Sequence, residues 1–215
     1  MDLVETDHNS ESVSYGFPFV SRSEWQAKEP VERNPLPTPV SYVVIHHSYI
    51  HADAKTTDEC KQAMRAMQEF HIIDRCFTDI GYNFLVGCDG SAYEGCGWKI
   101  KGAHCLYFNP HSIGICLIGD WRHEVPPDHQ LKTTKALIAA GVELGYIKPD
   151  YKIVGHRQVR LDTECPGDAL LNEIQDWDHY SSYPRTAKDL LDLEEVPEST
   201  KAVMRRNPAF NGNVA

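Results

Sequence analysis

The stretch Val40-Ser41-Tyr42-Val43-Val44-Ile45-His46 constrains this chain more than any other, because it is a β-branched, almost unbroken apolar run that ends on an imidazole. Such a run reads as a central strand, buried within a sheet. A histidine at its carboxyl end stands where open α/β sheets place their sites. A second strand, Tyr151-Lys152-Ile153-Val154, delivers His156 in the same way. Cys165 follows in a turn before Pro166-Gly167, where a packing cysteine is less expected. Two imidazoles and a thiolate are good zinc ligands, and three protein ligands leave a fourth tetrahedral position open, as in catalytic sites. Water held there is acidified enough to act as a nucleophile near neutral pH. Spacing alone leaves both a zinc hydrolase and a set of hydrogen-bonded core histidines open.

The remaining segments supply layers for such a sheet. Thr56 with Glu59 three residues on is a capping box, and it opens a helix whose apolar face is Ala63, Met64, Met67 and Phe70. Asp89-Gly90 lies between Gly81–Val86 and Ser91–Glu94, a strong hairpin signal. Ser112–Ile118 reads as another buried strand, and the Pro-rich stretch from Pro30 to Pro39 as an irregular connection. After Pro126-Pro127, Asp128 caps a helix with Leu131, Leu137, Ile138 and Val142 on one face, ended by Gly145. Leu170, Leu171 and Ile174 have helical spacing in a last helix. Alternation of strands and helices predicts an α/β single domain, a central mixed β-sheet flanked by helices. Its expected extent is 17–180, between a solvated tail over 1–16 and a charged, mobile tail over 181–215.

Composition narrows the function classes. A formal charge of −10 argues against a broad nucleic-acid surface. No apolar run approaches membrane-spanning length, so membrane insertion is not expected. The acidic start Met1-Asp2-Leu3-Val4-Glu5 lacks the basic and apolar regions of a secretory signal, which predicts a cytoplasmic chain as written. Export would require another isoform or route. Seven scattered cysteines with no CxxC pair give little support to a zinc finger and fit a reducing compartment.

The chain resembles the peptidoglycan recognition proteins, relatives of phage and bacterial N-acetylmuramoyl-L-alanine amidases. The matching stretches are Val44-Ile45-His46-His47-Ser48, Asp79-Ile80-Gly81-Tyr82-Asn83-Phe84, Tyr93-Glu94-Gly95 with Gly97-Trp98, Gly102-Ala103-His104, Ile113-Gly114-Ile115 and Gly155-His156-Arg157-Gln158-Val159. They run in consistent order from about Phe17 to Trp177, and Ile118–Arg122 with Thr163–Gly167 looks most like the catalytic insect amidases. The resemblance implies zinc (Zn2+) held by His46, His156 and Cys165, with Tyr82 and Thr163 beside the metal. It implies hydrolysis of the amide joining the lactyl group of N-acetylmuramic acid to L-alanine, with peptidoglycan or muropeptides as partner. It places His71, Arg75, Phe77, His104, Asn109 and Arg122 along the substrate groove.

Three departures from the family pattern matter. The segment between His156 and Cys165 is one residue longer than usual, most simply by Leu161, which a one-residue bulge could absorb. Cys76-Phe77 replaces the pairs that go with diaminopimelic-acid or lysine-type peptides, and Arg122 tips the expectation toward the diaminopimelic-acid type. Ala54 removes the usual disulfide partner of Cys60. Two functions follow from the resemblance: a zinc amidase that dampens innate immune signalling, or a non-catalytic receptor of the same fold. Receptors of this kind usually lack the cysteine ligand, so Cys165 favours the enzyme.

Overall fold

In the computed structural model, which describes residues 14–210, the apolar run becomes strand β2 (Val40–His47), buried at every position except Ser41. With β1 (Phe19–Val20), β3 (Phe84–Val86), β4 (Ala92–Glu94), β5 (Ser112–Leu117) and β6 (Ile147–Gly155) it forms one six-stranded sheet, ordered β1-β4-β3-β5-β2-β6. β2 lies between β5 and β6, parallel to both, and β3 runs parallel to β5. β4 returns antiparallel to β3 through the Asp89-Gly90 turn, and β1 adds parallel to β4. The sheet is therefore mixed, as expected of an α/β single domain. β6 begins earlier than Tyr151, and an irregularity between Val40 and Tyr42 accommodates exposed Lys148, Pro149 and Asp150.

Alternate strand residues face opposite layers. Val43, Ile45, Val86, Ile115 and Leu117 share one core with Leu131, Leu137 and Ile138 of α2 (Asp128–Glu143) and Leu170 and Ile174 of α4 (Asp168–Gln175). Leu85 and Cys116 face the other way, onto Ala63, Met64 and Met67 of α1 (Thr57–Ile73). Thr56 closes the start of α1 with a capping box, as its spacing predicts. Phe70 departs from expectation: it is exposed near the end of α1, beneath the Arg75 guanidinium. Pro127, not Asp128, is the cap residue of α2, and Asp128 is its first helical residue.

The C-terminal expectation fails over most of its length. A 3-10 turn (Ala187–Leu191) leads into α5 (Glu198–Arg206), after the single-turn helix α3 (His156–Val159). Leu190, Leu193, Val196 and Met204 complete a third core with Tyr42, Val44, Phe108, Val154 and Val159. Charged composition concealed these few apolar anchors, which suffice because β2 and β6 leave this face uncovered by the preceding helices. Residues 211–215, and residues 1–13 of the expected N-terminal tail, lie outside the described residues. Tyr15, the part of that tail nearest the domain, packs on Phe17 and Phe19 and accepts a hydrogen bond from Trp98 Nε1 at 3.0 Å. Among the described residues no helix is long and apolar enough to cross a membrane.

Candidate metal centre

Strand register brings the two histidines together. His46 follows Ile45, which pairs with Gly155, the residue immediately before His156. The two imidazoles consequently stand with ring centroids 4.3 Å apart. Cys165 arrives by a loop from α3: its Sγ lies 3.8 Å from His46 Nδ1 and accepts from the His47 backbone N–H at 3.4 Å. One ligand atom from each of His46, His156 and Cys165 falls within 4.8 Å of the others.

The loop that carries Cys165 is closed on the helix that carries His156. The Arg157 backbone N–H donates to the Cys165 carbonyl at 2.9 Å. Its guanidinium donates to the Glu164 carbonyl and the Asp168 carboxylate. The additional residue is taken up between them, where Asp162 adopts a left-handed φ of 57° and Arg160 and Asp162 point to solvent. Behind the loop, Gly167 has φ 92°, and a Cβ there would meet the Trp121 carbonyl oxygen at 2.3 Å, so this position requires glycine.

The donor set fits a zinc ion. His156 Nε2 is enclosed without a hydrogen-bond partner, a state that costs roughly 1–3 kcal/mol unless something satisfies it. Burial, then the neighbouring His156 and His104, hold His46 neutral far below the ordinary histidine range. Burial, then His104, pushes His156 down to about 3. Both rings therefore offer lone pairs at neutral pH. Burial pushes the Cys165 thiol up to about 12, against a downward pull from the His47 N–H. A divalent cation reverses that balance, because a coordinated thiol is deprotonated.

A pocket of about 360 Å³ opens over this cluster, lined by His47, Tyr49, Tyr82, Arg122, His156, Asp162, Thr163, Glu164 and Cys165. The Tyr82 ring stands 5.2 Å from that of His46. Burial first, then the Cys116 and Cys165 thiols, keep its hydroxyl protonated well above the usual phenol range. Thr163 Oγ1 accepts from the Cys165 N–H at 3.2 Å, tying this residue to the ligand loop. Arg122 is fixed by Asp120, with Nε and Nη2 at 2.9 and 2.7 Å from its carboxylate, and lies 4.6 Å over the Tyr49 ring.

The other expected groove residues are placed differently. His71 and Phe77 stand behind Tyr82, outside the pocket lining: the His71 ring is tilted against Phe77 at 5.4 Å and meets Tyr82 edge-on at 5.6 Å, and its Nδ1 accepts from the Gly81 N–H. His104 is buried, its Nδ1 3.0 Å from His46 Nε2, so it neighbours the His46, His156 and Cys165 cluster and does not line the open pocket. Asn109 Oδ1 accepts from the Cys105 N–H at 2.7 Å and fastens its own turn. Arg75 is exposed beside Phe70, outside the pocket lining. Sequence reasoning assigned no role to His47, Tyr49, Asp120 or Glu164. The His46-His47 pair was the available signal, but strand alternation sends neighbours to opposite faces, and only the strand end lets both meet the site. His47 Nδ1 accepts from the Trp121 N–H at 3.2 Å.

Known proteins match the same region. A family model described as N-acetylmuramoyl-L-alanine amidase matches residues 36–168. Peptidoglycan-recognition protein LB of Drosophila melanogaster is 50% identical over 186 residues, which cover 86% of this chain and 77% of that protein. The solved structure of wild-type Drosophila PGRP-LB has a TM-score of 0.75 at 49% identity, covering 77% of this chain and 96% of that chain. The structure of peptidoglycan recognition protein-LE in complex with tracheal cytotoxin, a monomeric diaminopimelic acid-type peptidoglycan, also has a TM-score of 0.75, at 43% identity over 78% of this chain and 98% of that chain. Sheet order, pocket and sequence thus lead to one assignment: the chain belongs to the N-acetylmuramoyl-L-alanine amidase family, among the peptidoglycan-recognition proteins.

Proposed function

We propose that this chain is a zinc-dependent amidase that binds peptidoglycan or muropeptides and hydrolyses the lactyl-L-alanine amide, removing ligands that trigger innate immune signalling. The observation that carries this reading is Cys165 Sγ, which stays 3.8 Å from His46 Nδ1 despite the longer loop before it. His46, His156 and Cys165 would hold the ion. Bound zinc supplies Lewis acidity at the scissile carbonyl and an acidified water as nucleophile.

The protein's own groups do the rest. Tyr82, kept protonated by burial, offers its hydroxyl to the carbonyl oxygen as negative charge builds there. Thr163 holds the ligand loop at the pocket wall. Arg122, held in one orientation by Asp120 and Tyr49, presents a guanidinium suited to a carboxylate. A stem peptide of the diaminopimelic-acid type carries such an additional carboxylate, and the similar protein LE was solved with a ligand of that type.

The test pairs metal content with cleavage of a purified diaminopimelic-acid muropeptide, using Cys165→Ser as control. Stoichiometric zinc, with cleavage lost in the variant, supports the amidase. Muropeptide binding with neither zinc nor cleavage assigns a receptor instead and overturns the proposal.

A further inference from the structure

We propose that the cavity between Tyr107, Leu161 and Phe210 is a second ligand subsite, which takes one N-acetylated sugar ring of the glycan, the one next to the muramic ring. Its ligand follows from the muropeptide reading, and its position from the cavity alone.

Two peculiarities of the chain meet there. Leu161, the additional residue of the ligand loop, forms one wall, and Asn207 and Phe210 form another, beyond the residues 36–168 that match the family. The C-terminal wall is fastened to the domain. The Phe210 ring meets that of Tyr107 edge-on at 5.8 Å, Asn207 Nδ2 donates to the Tyr107 hydroxyl at 3.5 Å, and Asn207 Oδ1 accepts from the Ala209 N–H at 3.1 Å. The cavity measures about 140 Å³. An apolar cavity of about 150 Å³ holds benzene, so there is room here for a single six-membered ring.

Chemistry selects the occupant. Two aromatic rings and a leucine suit the C–H face of a pyranose, and its hydroxyl and acetamido groups call for both donors and acceptors at the rim. Arg160 and Asp162 provide them: both line the cavity, both are exposed, and neither forms a hydrogen bond or ion pair among the described residues. Their opposite charges balance at this rim, whereas a stem-peptide carboxylate finds Arg122 in the metal pocket. Asp162 lines both cavities, so the two adjoin. With the lactyl amide over the metal position, the muramic ring stays at that pocket, and the next sugar is the group that reaches past Asp162. Tyr107 and Asp162 hold left-handed φ angles of 71° and 57°. Bulky residues enter this region at a cost, and such positions cluster at ligand sites.

Two diaminopimelic-acid muropeptides test this, one carrying the N-acetylglucosaminyl-N-acetylmuramyl disaccharide and one carrying N-acetylmuramic acid alone. On the wild-type protein kcat/KM is measured if they are cleaved, and Kd if they are bound uncut. The disaccharide ligand should be favoured about tenfold. That ratio should narrow to about threefold or less in Phe210→Ala. Arg160→Ala, which removes an exposed side chain from the other wall and disturbs no core, should narrow it likewise. Val203→Ala, on the exposed face of α5, should keep the full ratio. A wall that only braces the fold would lower the melting temperature of Phe210→Ala and leave the ratio unchanged, which overturns the proposal. Equal values for the two ligands in the wild type overturn it as well and leave the amidase reading standing. An equal loss for both ligands in Phe210→Ala assigns the cavity to the stem peptide instead. Wild-type protein that neither binds nor cleaves either ligand sinks the muropeptide reading itself, and the sugar subsite with it.

Discussion

Cys165 Sγ and His46 Nδ1 stand 3.8 Å apart although 119 positions separate them along the chain. Pairing of β2 with β6 accounts for His156, since Ile45 and Gly155 are partners and the residue following each carries the imidazole, His46 still on β2 and His156 opening α3. Nothing in the sheet accounts for the thiol. Its position depends on the loop after α3, closed by the Arg157 N–H on the Cys165 carbonyl, and this loop holds the additional residue.

Asp162 is where that loop turns, with φ at 57°. Aspartate tolerates the left-handed region, glycine prefers it, and a β-branched side chain resists it by roughly 1–2 kcal/mol. Asp162→Gly should therefore keep zinc affinity within about twofold, whereas Asp162→Val should weaken it roughly tenfold. Chelator competition on both variants measures this. Equal affinities would mean that the turn does not set the ligand position.

Zinc uptake should depend on pH through one proton. Cys165 holds its proton up to about 12 in the metal-free protein, whereas His156 is neutral down to about 3 and His46 is neutral far below the usual range. Ligation needs the thiolate, so each ion displaces the thiol proton and none from the imidazoles. Apparent affinity should rise about tenfold per pH unit between about pH 5 and 6.5. Calorimetry in two buffers of different ionisation enthalpy counts the released protons. Release of two or three would show that the histidines are charged before binding.

Much of this was legible in the chain. Val40–His46 announced a central strand because β-branched residues on both faces leave no alternative to burial, and the Thr56–Glu59 spacing announced the start of α1. The candidate ligand trio was visible as three suitable side chains at or just beyond the ends of elements, and the fold brings the three together. The partner of His46 was not: His104 lies 58 residues away and reaches it only through the sheet. Likewise Arg122 could be assigned to the groove by resemblance, but its dependence on Asp120 and Tyr49 is a property of the folded loop. The C-terminal segment was misread because average charge outweighs four spaced apolar residues in any compositional reading.

Tyr82→Phe separates binding from chemistry. The ring stays against His46 and His71, so the pocket keeps its shape, but the protonated hydroxyl is lost. Removing one donor to a developing oxyanion typically costs about 10²–10³ in rate. Muropeptide cleavage by Tyr82→Phe should fall by that order while zinc content and muropeptide affinity remain close to wild type. Loss of zinc in this variant would instead make Tyr82 part of the metal's support.

The last helix should carry stability that its composition hides. Met204 is fully buried against the core that contains Val44, Val154 and Val159, and Val159 is the final residue of α3, the turn that begins with His156. Truncating a buried methionine to alanine leaves a cavity and costs about 2–5 kcal/mol. Val203, its neighbour, is 52% exposed and should tolerate alanine within about 0.5 kcal/mol. Urea unfolding of Met204→Ala and Val203→Ala measures the difference. Leu190→Ala, in the same core, should behave like Met204→Ala. If all three variants unfold at the wild-type midpoint, the segment after residue 186 is not part of the cooperative unit, and the third core does not brace α3 and the Cys165 loop that follows it.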